Sequence, residues 1–598
     1  RNVSPYRDWV IRSFNENMPF DRFTIAQLAG DLLPEPTLWD RVASGYNKLS
    51  QTTEEGGAQA KEYEAKTSAD RVRNVSVVWM GATMGCAECH DHKFDPWTMK
   101  DFYSLAAFFA DIEEPAIMDR DRGIPVPVTS AQESELRALD LRIESLRDRL
   151  ASPPPEVAKT LGEARIAWET EVRAGSSGGG DAPPEEIRTI LAKAEVDRSD
   201  AERRKLDEHW LAIAPPLAAV REELAAAEKE REKLVASLPR CLVAKSGAPR
   251  TVRILPRGNW MDDTGEVVEP AVPAYFGRLD VEGRPTRLDL ARWLVSTENP
   301  LTARVLVNRL WKLFFGAGIS RGLEDLGAMG EPPSHPDLLD WLAVELVESG
   351  WDVKHMVRLM VLSSTYRQSS AGRADLASRD PYNRLLARQS RWRLDAELVR
   401  DNALAVSGLL SREIGGPSVF PYQPPGYWVN LNFPKREWKN DSGDNQWRRG
   451  LYTWWQRSFL HPSLLAFDAP SREECVAERP RSNIPQQALV LLNDPTYVEA
   501  ARVFATRILA DGGDTDETRI RWGFRRATSR KPEANEVAIL ADLLERHRAS
   551  WAADPEGASE LLAVGQATKP DGAEAIEVAA WTSIARVLLN LHETITRN

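Results

Sequence analysis

Between residues 131 and 238 the chain repeats apolar residues at steps of three and four. Leu136, Leu139, Ile143, Leu146 and Leu150 keep that step, and so do Leu217, Val220, Leu224, Ala227, Leu234 and Leu238, with Arg231 in register. Charged residues fill the positions between. Two such arms in one chain predict an antiparallel coiled-coil hairpin, because each apolar stripe is too narrow to do more than cover the other. Pro153-Pro154-Pro155 ends the first arm, and Gly175-Ser176-Ser177-Gly178-Gly179-Gly180 forms a tip region. So polar a hairpin has no core to share, so it divides the chain. The sequence predicts a helical domain over 1–129, the hairpin insertion over 130–240, a small β-rich linker over 241–285 and a helical domain over 286–598. The hairpin reads as a spacer, a tolerated insertion or a docking arm.

The rest of the 598 residues has a globular composition, 42% hydrophobic and 28% charged. A net charge of −12 argues against nucleic acid as the partner. No apolar run approaches the ~18 residues a membrane helix needs. Ser4-Pro5 opens the first helix with a capping hydroxyl and a proline, and Tyr6, Trp9, Val10 and Phe14 follow at helical spacing. Helices are expected over 20–33, 37–46 and 61–83. Another starts at Thr98, with Phe102, Leu105, Phe109 and Ile112 on one face. Residues 241–244 and 251–255 bracket Ser246-Gly247-Ala248-Pro249 and predict a β-hairpin. From Arg287 the pattern is helical again, over 288–295, 301–315, 353–365, 395–410 and 580–591. The fold class is therefore mainly α: two helical domains joined by the hairpin insertion and a small β-hairpin region.

The chemistry concentrates in Met84-Gly85-Cys86-Ala87-Glu88-Cys89-His90-Asp91-His92-Lys93-Phe94-Asp95-Pro96, which holds two of the chain's 4 cysteines. Cys-x-x-Cys-His is the attachment pattern of c-type haem. Two thiols about one turn apart can add to the two porphyrin vinyl groups, which sets His90 under the ring as the iron's proximal ligand. Three other chemistries use the same residues. Cys86 and Cys89 can form a redox pair, although the βαβ pattern expected around such a site is absent. They can hold zinc with His90 or His92 and one ligand from elsewhere. They can also be inert thiols. In a helical motif His92 lies ~200° around the axis from His90 and cannot ligate the same iron. It then serves as a supporting histidine, or joins Asp91 and Asp95 in a small cation site.

Three further stretches carry chemistry-bearing residues. Glu54-Glu55-Gly56-Gly57 is a loop whose carboxylates Glu54 and Glu55 are weak candidate catalytic groups. Asp262 and Asp263 could ligate a cation, but an Asp- and Gly-rich turn needs none. The proline-broken stretch from Pro417 to Trp447 carries Tyr422, Tyr427, Trp428, Phe433, Trp438 and Trp447. Such rings stack on sugars, close over a haem edge, or pin a long loop to the core.

Together these motifs resemble a cytochrome-associated pair of domains of unknown function from exported planctomycete proteins. The first domain's likeness rests on Tyr6-Arg7-Asp8-Trp9-Val10, on Gln27 to Leu33, on Glu54 to Gly57 and on Cys86 to Pro96. The second's rests on Asn299 to Val305 with Asn308-Arg309, on Pro333 to Pro336, on Thr365 to Ser370, on Phe467 to Pro470 and on Leu491 to Pro495. The sequence departs from the family at Gly45-Tyr46-Asn47-Lys48-Leu49, where many relatives carry a histidine. The resemblance implies an extracytoplasmic c-type haem protein with a redox role, electron transfer or haem-based oxidation, working with a redox partner protein or a carbohydrate-active partner. One covalent haem c would be held by Cys86, Cys89 and His90, with the sixth position either open or filled by His461, His335 or Met99. Residue 1 is Arg, so an export leader would lie outside this sequence. Two other functions stay open: a zinc-dependent hydrolase using the Cys/His cluster with Glu54 or Glu55 as base, and a scaffold whose hairpin docks a partner and whose Trp-rich loop binds glycan.

Overall fold

The computed structural model describes residues 3–53, 55–113, 117, 121–174, 183–376, 378–429, 437–457, 459–569 and 575–597. It is mainly helical, and its described strands form three two-stranded antiparallel sheets. Glu54, Phe433 and the glycine-rich tip at 175–180 lie outside the described residues. By contacts the chain divides into two compact units, Arg1–Pro5 with Arg122–Cys241, and Tyr6–Asp121 with Leu242–Asn598. Residues before and after the insertion thus share one unit.

That unit begins with α1 (Ser4–Asn15), α2 (Phe20–Ala29), α3 (Leu38–Ala43), α4 (Ala60–Val75) and α5 (Met99–Ala107). Thr37 and Thr98 cap α3 and α5 through reciprocal bonds with Asp40 and Asp101, which satisfy the free N–H groups of each first turn. The long helix expected over 61–83 is shorter: α4 stops at Val75 and continues as one π-helical turn, Ser76–Met80.

The inserted unit contains α6 (Ser130–Ala151), α7 (Pro155–Arg173), α8 (Glu185–Ala192), α9 (Asp200–Ile213) and α10 (Ala218–Ser237). Helices α6 and α10 run antiparallel, with Ile143 and Leu146 packed on Ala227 and ion pairs from Arg147 to Glu228 and Arg142 to Glu223. At their base β1 (Ile124–Pro125) pairs with β2 (Arg240–Cys241). The far end is a small helical cluster, not a simple turn. There Leu206 packs with Ile187, Ile190 and Leu191, and Trp210 with Leu217 and Trp168. The exposed charges along the pair contribute little, because water already solvates them. Arg147→Ala is expected to cost less than about 1 kcal/mol in thermal unfolding of the intact chain.

The hairpin expected between 241–244 and 251–255 does not form. Residues 245–250 instead bond to 110–113: Glu113 N donates to the Lys245 carbonyl, Gly247 N to Asp111 and Arg250 N to Ala110. Pro249 has no N–H to give to a partner strand. The hairpin that does form joins β3 (Val252–Arg253) and β4 (Val267–Val268). The chain then folds as α11 (Arg287–Leu294), α12 (Thr302–Phe315), α13 (Pro336–Glu348) and α14 (Val353–Leu362), and onward through α15 (Ala396–Ser407), α16 (Pro462–Ala466), α17 (Pro485–Asn493) and α18 (Pro495–Asp511). It closes with α19 (Asp516–Thr528), α20 (Ala534–Ala553), α21 (Pro555–Ala563) and α22 (Ala575–Asn590).

Among the described residues this unit has three large cores and a small cluster of Ala558, Leu562, Val578 and Ala579. One joins α4 and α5 to β4 and α11, through Trp79, Phe102, Phe109, Val268 and Trp293. A second lies among α12, α13 and α14 around Trp311, Leu342 and Met356. The third gathers α15 and α17 to α20 around α22, with Trp581 and Ile584 wholly buried at its centre.

Candidate functional site

The Cys-x-x-Cys-His segment leaves the π-helical turn through Gly81, whose positive φ of 54° ends the helix. A side chain there would strike Val305, its Cβ lying 2.8 Å from the valine methyl. A π-turn leaves carbonyls without their helical donors. Arg309 takes two of them: its guanidinium donates to Val78 O at 3.0 Å and Val77 O at 2.5 Å, and to Leu323 O at 3.2 Å. The Gly81 carbonyl accepts from Leu326 N at 2.7 Å. Residues 305–328 therefore grip the segment's entry.

Met84–Glu88 is a single 3₁₀ turn, anchored by the buried side chains of Met84 and Ala87. The turn exposes Cys86 and Cys89, and both are free thiols. The N–H groups of Cys89 and His90 both reach back to Cys86 O, at 3.3 and 3.4 Å, so the two cysteines sit one turn apart. Gly258 packs directly on Cys89, where an added Cβ would lie 2.8 Å from Sγ. Tyr103 donates from its hydroxyl to Glu88 O at 2.9 Å, and Glu88 pairs with Arg73. Burial, with Glu88 nearby, pushes the Tyr103 hydroxyl well above its ordinary pKa, so it remains a donor.

The two histidines of the segment have opposite roles. His90 is exposed, with Nδ1 2.8 Å from the carbonyl of Asp91. A carbonyl only accepts, so Nδ1 carries the proton and Nε2 keeps its lone pair. His92 is turned inward, and its Nδ1 accepts the N–H of Asp95 at 2.9 Å. The expectation that a helix separates the two is corrected: the chain beyond Cys89 is not helical, and the bond to Asp95 is what draws His92 away. Asp91 accepts from Met99 N at 2.8 Å, and Asp95 from Ala328 N at 2.8 Å. Asp95 Oδ2 is buried without a partner, 3.4 Å from His92 Nδ1. Among the described residues no group of three or more His, Cys, Asp or Glu side chains is placed to hold a metal ion.

The other sequence candidates lie elsewhere. His461 is buried, and both ring nitrogens are taken, Nε2 by Tyr422 O at 2.7 Å and Nδ1 by Ser463 Oγ at 2.9 Å. That leaves no nitrogen for iron, so its reading as a sixth ligand is corrected to a core histidine. Burial lowers its pKa to about 4. His335 stands before α13 with Nδ1 3.0 Å from Ser334 Oγ. Met99 is the first residue of α5, half-buried against its core. Glu55 is exposed in its loop, its N–H bonded to Thr53 Oγ1 at 3.1 Å. Asp262 accepts from Thr264 and Asp263 pairs with Lys61, contacts that account for both carboxylates without a cation.

The apolar stripe that starts on α5 is buried. Phe102, Leu105, Phe109 and Ile112 are each 1–2% exposed and belong to the core, not to a wall facing the thiols. In the Trp-rich stretch the described rings pack on one another, Trp428 stacking on Trp438 at 5.6 Å and Phe420 on Trp454 at 5.4 Å. The indole of Trp438 donates to Pro421 O and that of Trp447 to Glu499.

Beside the segment, Thr83 and Gly85 also line a cleft of about 580 Å³. Its other walls are Ser50 and Gln51, one face of α4 from Tyr63 to Asn74, and Glu473, Glu474 and Cys475. The chemistry of the Cys86 donor set fits a covalent haem: two free thiols one turn apart and an imidazole with an available Nε2.

Residues 1–114 match the family model PSCyt2, described as a protein of unknown function (DUF1549). Residues 286–544 match PSD1, described as a protein of unknown function (DUF1553). The chain carries this domain pair. No curated protein and no solved structure matches it. The PSCyt2 region contains the cysteine segment, and the PSD1 region supplies Arg309, Leu326 and Ala328, which hold it. Arg309 was visible in the sequence only as part of a motif. Its role follows from the π-turn, which helical periodicity does not announce.

Proposed function

We propose that this chain is an extracytoplasmic c-type haem protein that transfers electrons, with Cys86 and Cys89 as thioether anchors and His90 as proximal ligand. The orientation of His90 carries the reading. Its Nδ1 proton is held by a backbone carbonyl, the arrangement that fixes a ligating imidazole and raises its basicity at the other nitrogen. The exposure of both thiols supports it, since attachment requires them to be reached and free. A bound haem would supply a one-electron couple. The chain's own residues position it: Met84 and Ala87 root the turn, Gly258 packs on Cys89, and Arg309 fixes the entry. A site this exposed suits transfer to a redox partner protein at the surface better than oxidation of an enclosed substrate. Zinc hydrolysis has less support, because His92 faces inward and is bonded to Asp95.

Intact mass and visible spectroscopy, on protein co-expressed with c-type haem maturation machinery, test the reading. The expected result is a mass gain of one haem and a Soret band, both absent in Cys86→Ala/Cys89→Ala. His90→Ala should keep the mass gain while shifting the spectrum. An unmodified mass, under conditions that mature a control cytochrome, overturns the proposal. Stoichiometric zinc lost in the same double variant would replace it.

A further inference from the structure

We propose that the cleft between α4 and the segment 473–475 binds a short neutral saccharide. The lining mixes polar groups with apolar surface, to which Tyr63 and Val77 contribute. Gln51, Thr67 and Asn74 offer amide and hydroxyl groups, and Asp70, Glu473 and Glu474 offer carboxylates. The cleft's two basic residues are already engaged: Lys66 bonds to Glu62 at 2.6 Å, and Arg73 pairs with Glu88. Arg71, Arg73 and Arg457 offset part of the charge of Asp70, but with both lining cations committed an anionic ligand would still meet Glu473 and Glu474. A neutral polyol suits the lining, because each hydroxyl donates to a carboxylate or amide oxygen and accepts from an amide N–H. Burial raises the pKa of Asp70, an environment that disfavours added charge.

The wall is preformed. Arg472 has a positive φ of 63°, a costly conformation for a non-glycine residue, and contacts on both sides hold it there. Its guanidinium lies 3.5 Å over the Trp455 ring and 3.5 Å from Glu397. Gln51 Nε2 donates to Glu473 O at 3.1 Å, and Ala477 N to Glu324 at 2.5 Å. The volume, about 580 Å³, lies within the range of small-ligand sites, roughly 300–1,000 Å³.

The test uses the full chain with cellobiose, xylobiose, maltose, lactose and mannobiose as neutral probes, and putrescine and galacturonate as charged ones. Calorimetry gives affinity, and hydrogen exchange shows where each probe acts. At least one neutral disaccharide should protect both 60–75 and 471–477. Asp70→Asn/Glu474→Gln should weaken it about tenfold or more, by removing bonds to charged acceptors. Thr67→Trp should abolish binding by filling the cleft, with circular dichroism confirming that both variants fold. Protection by no neutral probe, protection by a charged probe alone, or binding unchanged in both variants overturns the proposal. The inference is independent of haem. Binding should persist in Cys86→Ala/Cys89→Ala, and its loss there would place the ligand elsewhere and also overturn the cleft as the site.

Discussion

Arg287→Ala should destabilise the chain by about 3–5 kcal/mol, the cost of stranding buried charges whose partner is removed. The side chain is wholly buried at the first turn of α11. Nε donates to Asp111 at 3.0 Å, Nη1 to Leu28 O at 2.7 Å and Asp31 at 2.9 Å, and Nη2 to Asp31 at 2.7 Å and Ser246 Oγ at 2.8 Å. One guanidinium thus joins the end of α2, the segment after α5, the 245–250 stretch and α11. Its contacts Leu28, Asp31 and Asp111 lie in the PSCyt2 region, and Arg287 itself opens the PSD1 region. Arg287→Lys should recover little, because an ammonium cannot reproduce a fork bonded to two carboxylates at once.

The pH dependence checks the cause. Burial raises the pKa of Asp31, but the hydrogen bonds and charge of Arg287 outweigh it, and the net value lies below the ordinary one. A carboxylate with a depressed folded pKa stabilises fully above its unfolded value, about 3.9, and the contribution is lost as pH falls through the folded value. Without Arg287 burial is opposed only by the hydrogen bonds from Ser246 and the backbone, and the Asp31 pKa should rise. Protonation then relieves the stranded charge, so the deficit of Arg287→Ala should shrink below about pH 5. Urea unfolding of both proteins at neutral and acidic pH measures this. A deficit constant with pH would assign the effect to lost packing instead.

The cysteine segment was the most legible part of the site, because thiol spacing is a local property. The two arms were legible as helices for the same reason: a stripe at steps of three and four needs only neighbours. Failures came where a distant partner competes. The strand 251–255 pairs with 267–268, because residues 110–113 take the backbone bonds of 245–250. No periodicity reveals that exchange. His461 and the stripe containing Phe102 were ambiguous in the same way. A histidine in a motif can ligate or be buried, and an aromatic stripe can line a site or fill a core. Tertiary packing chose the second outcome for both. Arg287 and Arg309 were quiet in the sequence because a buried arginine is recognised by the carbonyls and carboxylates that converge on it, and those of Leu28, Asp31, Val77 and Val78 lie more than two hundred positions away.

The Leu491–Pro495 motif illustrates a structural use of a family signature, and Asp494→Asn should stabilise the chain at neutral pH. Asp494 caps α18 by accepting the N–H of Thr496 at 2.9 Å. Its carboxyl faces the interior, and burial raises its pKa to about 6. Arg400 lies near but donates its Nη groups to Arg448 O and Gln446 O, both at 2.6 Å, so it does not bond the carboxylate. A raised carboxyl pKa favours folding below the unfolded value, about 3.9, and that contribution is lost as pH rises through 6. Asparagine keeps the capping oxygen and carries no charge. Its advantage over the native residue should therefore be about 2 kcal/mol greater at pH 7 than at pH 4. His461 opposes Asp494 over this range. Its depressed pKa means stability falls as pH drops from about 6.5, its unfolded value, toward 4. In the native chain the two trends offset each other. In Asp494→Asn only the histidine's remains, so the variant should lose stability more steeply on acidification than the native protein. Parallel slopes in thermal unfolding from pH 7 to 4 would show that the Asp494 carboxyl titrates at its ordinary value in the folded chain.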